Sequence, residues 1–100
     1  MEHSFVQGRA VLAKDVFEIK PQYNTGHEPG LVVVLDQVVV ANPTSLVGKV
    51  ALIRTPGGVS VEARIEDARD HGPANSLFFR NLKRSDVPIG SEVVIIEGIG

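Results

Sequence analysis

"KVALIRTPGGVSVEARIED", residues 49–67, decides the fold class. In its second half Val59, Val61, Ala63 and Ile65 alternate with Ser60, Glu62, Arg64 and Glu66. Successive side chains of a strand point to opposite faces, so this alternation offers one face to a core and the other to water. Between the halves stands Pro56-Gly57-Gly58. The proline fixes one φ, and two glycines that tolerate positive φ follow it. The stretch therefore reads as an antiparallel β-hairpin.

The same chemistry recurs on either side of the hairpin. "FVQGRAVLAKDVFEI" (5–19), "LVVVLDQVVV" (31–40), "SLFFRN" (76–81) and "EVVII" (92–96) are apolar, strand-forming runs bounded by turn residues. Long helical periodicity is missing. With the hairpin these runs give six strands, joined by loops at 20–30, 41–48, 68–75 and 82–90. Gly8 suggests that the first run is bent or split. In 31–40 only Asp36 and Gln37 interrupt the apolar residues. That run is either a strand covered on both faces or one that bends there and changes face. The expected fold is all-β, a small closed or nearly closed six-stranded barrel rich in antiparallel pairs; closure would remove the exposed edges of such strands.

The 100 residues fit one domain, 1–100, with no linker or internal repeat dividing it. There are no cysteines, which removes disulfides, thiolate metal sites and thiol nucleophiles. The longest apolar run, "LVVVL" at 31–35, is too short to span a bilayer, and "MEHSFVQG" has no signal-peptide pattern. A cytoplasmic location is the expectation. A net charge of −2 argues against tight, nonspecific attachment to nucleic acid through phosphate neutralisation alone.

The other informative stretch is "FFRNLKRSDVPIG", 78–90. Leu82 and Val87 are placed to plug the end of the barrel while Lys83, Arg84 and Asp86 face water. Ser85 is placed to cap a single helical turn, and Gly90 to reverse the chain into the last strand. With its upstream residues, "HGPANSLFFRNLKRSDVPIGSEV" resembles the end of the second domain of elongation factor Tu and related translational GTPases. Arg80, Leu82, Lys83, Arg84, Asp86, Val87 and Gly90 match that family's closing turn, and Gly72 matches the glycine that opens the preceding strand. "LVGKVALI" (46–53), "ARIEDARD" (63–70, with the family's glutamate on Glu66) and "AKDVFEI" (13–19) resemble further pieces of the same domain. The resemblance implies a translation-protein β-barrel serving as a docking module for RNA or protein. The family's Gly-Arg-Val-Glu-x-Gly turn is not recognisable in 31–48, and Asn81 stands where a glycine is usual. These departures fall where the family's domain meets aminoacyl-tRNA. No GxxxxGK[ST] phosphate loop is present, so the nucleotide-binding half of such a factor is missing.

Motifs for chemistry are sparse. His3, His27 and His71 show no metal-ligand spacing, and none of the serines sits in a GxSxG elbow. Glu66, Asp67 and Asp70 read as a wet strand end rather than an acid–base couple. A non-catalytic module without cofactor, metal or nucleotide is expected. Half of the ten basic residues, Arg64, Arg69, Arg80, Lys83 and Arg84, lie between positions 64 and 84 and form the candidate contact surface. Arg64 and Arg80 are expected to share the outer wall, with Lys83 and Arg84 at its rim. Phe78 is the aromatic that alternation places outside, with Phe79 inside. Two partners are expected: a protein or a second copy, through an uncovered side of 31–40, or an RNA, through the basic surface.

Overall fold

The hairpin at 49–67 forms as its alternation dictates. The computed structural model describes residues 10–19 and 29–96. Their strands are β1 (Ala10–Ile19), β2 (Gly30–Leu35), β3 (Val50–Arg54), β4 (Ser60–Arg64), β5 (Asp67–His71), β6 (Ala74–Phe79) and β7 (Glu92–Ile96). Single 3-10 turns lie at Pro43–Leu46 and Arg84–Asp86. β3 pairs with β4 from Val50 opposite Arg64 to Arg54 opposite Ser60. The turn closes with Gly58 N–H on Thr55 O at 2.9 Å, and Gly58 takes a φ of 93°. Of the four residues expected on one buried face, Ile65 is fully buried and Val61 and Ala63 half-buried, but Val59 is 61% exposed. Val59 falls beyond the last strand pair, where no strand among the described residues covers it.

All pairings are antiparallel, in one seven-stranded sheet of order β4-β3-β7-β1-β2-β6-β5. The fold is all-β, and the described residues hold one strand more than the sequence suggests. The extra strand comes from 68–75, expected to be a loop. Instead β5 and β6 form a hairpin there, turning at Gly72, whose φ is 67°. The composition hides β5 because only Ala68 of "DARDH" is buried, leaving no apolar alternation to read. No ladder joins β4 to β5 among the described residues, so the sheet has two ends and is not a closed ring. Ile65 and Glu66 carry the chain from one end to the other. Ile65 N–H bonds Lys49 O beside β3 at 2.8 Å, and Glu66 N–H bonds Phe78 O on β6 at 2.8 Å.

Two irregularities shape the sheet. In β1 the register slips between Ala13 and Asp15. Val11 and Ala13 are buried before the slip and Val16 after it, so the extra residue shifts the inward set from odd to even positions. Before the slip β1 pairs with β7; from Ala13 onward it pairs with β2. The bend or split expected of the first run at Gly8 lies outside the described residues. The second irregularity ends β2 at Leu35, so 31–40 bends rather than continuing. Asp36 fixes the bend: its N–H donates to Leu12 O at 2.9 Å and its Oδ1 accepts Leu12 N–H at 3.2 Å.

Beyond the bend, the fully buried Asn75 of β6 takes the place of a missing strand. Its Oδ1 accepts the N–H groups of Val39 at 2.6 Å and Val40 at 3.1 Å, letting Val40 enter the core. That core combines Val11, Val16, Leu31, Val33, Leu35, Ile53, Ile65, Leu77, Phe79, Val93 and Ile95 with Val87 from the 82–90 connection. Leu82 packs on the same cluster, as the plug reading requires, while Lys83 and Arg84 are exposed. Ser85 does not cap the turn. Asp86 does, its carboxylate accepting Lys83 N–H at 2.8 Å. Gly90 reverses the chain at φ 95°. No helix among the described residues is long and apolar enough to cross a membrane.

Replacing Asn75 by Ala leaves two backbone N–H groups without their acceptor. We expect a loss of about 2 kcal/mol or more in urea unfolding, seen as a lower midpoint at unchanged slope. Gly30→Ala sets a Cβ 2.5 Å from both the Phe78 ring and Phe79 O. Overpacking of that kind costs about 1–3 kcal/mol in the same measurement.

Candidate binding groove on the outer sheet face

The outward side chains of β1, β2, β6 and β5 fall in rows set by the register. Phe17 lies opposite Val32, Val32 opposite Phe78, and Phe78 opposite Asp67. The next row runs through Asp15, Val34, Ser76 and Arg69. Phe79 is inside, which puts its neighbour Phe78 outside, as alternation predicts. Gly30 contributes by its missing side chain, since a Cβ there would meet the Phe78 ring. The backbone of β2 therefore forms part of the seat on which that ring lies.

A groove of ≈ 530 Å³ opens on this face. Ile19, Val32 and Phe78 supply its apolar lining, and Glu66, Asp67, Arg69 and Arg80 its charged one. A shallower hollow of ≈ 360 Å³, lined by Glu18, Gly30, Leu82 and Lys83 among others, shares Ile19 and Arg80 with it. The two hollows adjoin at these residues. Phe17, 48% exposed, extends the apolar row beyond the lining.

The charges in the groove answer one another. Arg69 Nε lies 3.1 Å from Asp67 Oδ2, and Arg80 Nη2 lies 3.7 Å from Glu66 Oε1. Two guanidinium groups and two carboxylates sum to no net charge. Both pairs are open to water, which screens them and keeps their contribution to stability small.

The five candidate residues are thus only partly brought together. Arg69 and Arg80 line the groove and Lys83 the adjoining hollow. Arg84 is exposed on the 3-10 turn, its backbone N–H on Glu18 Oε2 at 3.0 Å. Arg64 ends β4, at the far end of the strand order, and is absent from both linings. Arg64 is therefore not brought into the groove that Arg80 lines. Phe17, Ile19 and Val32 escaped the sequence reading. The parity that turns Phe17 and Ile19 outward depends on the slip near Lys14, which composition does not reveal.

His71 is exposed near the β5–β6 turn, while His3 and His27 lie outside the described residues. Among the described residues no three His, Asp or Glu side chains group as metal ligands. Comparisons with protein-family models, curated proteins and solved structures give no match to this chain.

Arg69 should be replaceable without harm to the fold. Arg69→Ala is expected to change unfolding free energy by less than about 1 kcal/mol, read from urea denaturation. A larger loss would make the Asp67 pair a structural one.

Proposed function

We propose that the chain is a non-catalytic binding module that docks a protein partner in the outer groove of β1, β2, β6 and β5. The observation that carries this reading is the apolar row Phe17, Val32 and Phe78, continued by Ile19, beside charges that already neutralise one another. An apolar or aromatic side chain of a partner gains by covering that row, and anchors of this kind dominate protein interfaces. A phosphate gains less, because a carboxylate beside each guanidinium in the groove offsets its charge.

The architecture proposed with it is a nearly closed barrel resembling the second domain of elongation factor Tu. Laid flat, seven strands would set β4 and β5 about 29 Å apart at strand spacings of ~4.8 Å. Arg64 and Asp67 end one strand and begin the other, and three Cα steps reach about 11 Å at most. The join at 65–66 thus supports a sheet curled until its ends approach. The cytoplasm is the compartment proposed, in keeping with a chain without cysteine.

A second reading, an RNA-contacting barrel linked to translation, is favoured by one observation. Arg69 and Arg80 flank Phe78, giving a ring on which a base can stack between two cations.

Selection from a peptide library displayed on phage, with the full chain as bait, separates the two. The expected peptides share an aromatic or aliphatic anchor and lose at least about tenfold in affinity for Phe17→Ser/Phe78→Ser, since each buried anchor contributes about 1 kcal/mol or more. Peptides indifferent to that double change would refute the groove. Single-stranded RNA bound with steep salt dependence, and lost in Arg80→Glu/Arg84→Glu, would establish the second reading instead.

A further inference from the structure

β4 pairs on one side only among the described residues. The phase of its ladder says which groups the other side presents. Ile65 N–H bonds Lys49 O, and Thr55 N–H bonds Val59 O, both at 2.8 Å. Bonded pairs alternate along an antiparallel ladder, so Val59, Val61, Ala63 and Ile65 turn their backbone groups toward β3. Ser60, Glu62 and Arg64 then present N–H and C=O at the open edge.

A second observation marks the same edge. On the neighbouring strands the inward positions are buried, Ala51 and Ile53 of β3 and Val93 and Ile95 of β7 among them. On β4 the inward Val61 and Ala63 stay partly exposed, although Ala63 packs on the core. Unpaired strand edges of this kind recruit another strand.

We propose that β4 pairs antiparallel with β4 of a second copy of this chain, about a twofold axis at Ala63. The bond phase requires Ser60, Glu62 and Arg64 to face one another across the axis. Registers that set Glu62 or Arg64 opposite itself bring like charges together. Setting Ser60 opposite Glu62 leaves Arg64 without a counter-charge. Only the register with Glu62 of each copy opposite Arg64 of the other forms two opposite-charge pairs by symmetry, and it places the small Ala63 where the backbones cross. It also brings Val61 of each copy against Ile65 of the other. This twofold self-complementarity selects a second copy over an unrelated strand. The edge residues Ser60, Glu62 and Arg64 line neither the groove nor the adjoining hollow.

Sedimentation equilibrium of the full chain over a concentration series tests this. The mass is expected to rise toward twice that of the chain. Glu62→Arg and Arg64→Glu should each weaken the dimer at least about tenfold, since both symmetric pairs become like-charged. The double variant Glu62→Arg/Arg64→Glu restores the pairs and should recover association. Circular dichroism checks that each variant folds. Glu62→Pro provides a second route, removing an N–H at the open edge while sparing the β3 ladder, and should give a monomer. A monomer at every concentration, a dimer indifferent to the single reversals, or a double variant that fails to recover would each overturn the proposal.

Discussion

Two residues, Ile65 and Glu66, join the opposite ends of a seven-stranded sheet. Strands so far apart in the pairing order can be neighbours in the chain only if the sheet between them curves. The bonds of Ile65 toward β3 and of Glu66 toward β6 show the chain changing partner at this point. Ile65 is also fully buried, so the join is anchored in the core as well as by its backbone. The arrangement of strands, core and outer groove rests on this short link.

Curvature needs places where the ladder yields. The slip near Lys14 lets β1 pair with β7 at one end and β2 at the other, and the bend at Asp36 releases the chain from β2. Each irregularity is stabilised by a polar side chain near it. Asp15 Oδ1 accepts Val16 N–H at 2.9 Å, Asp36 bonds Leu12, and Asn75 holds Val39 and Val40. These groups satisfy backbone donors that a regular ladder would have satisfied. The Nδ2 of Asn75 has no partner, a cost set against the two bonds its oxygen accepts.

The outer face follows from the same geometry. Once the slip turns Phe17 and Ile19 outward, they align with Val32 and Phe78 across the strands. The Arg69–Asp67 and Arg80–Glu66 pairs then sit beside an apolar row rather than forming a basic patch. Carboxylates interspersed with these cations along the chain offset their field, and the structure sets two of them against guanidinium groups, Asp67 beside Arg69 and Glu66 beside Arg80.

The sequence by itself determined the all-β class, the hairpin around Pro56-Gly57-Gly58, the burial of Phe79 and Val87, and the reversal at Gly90. Each depends on local chemistry: alternation over a few residues, or a backbone angle that glycine tolerates. Tertiary structure alone decided that 68–75 belongs to a hairpin, that β4 and β5 end the described sheet, and that Arg69 and Arg80 line one groove. It also put Phe17 beside Val32 and gave Asn75 the role of a strand. The physical reason is that partner choice and register depend on residues distant in sequence, and a one-residue slip reverses which face every later side chain occupies.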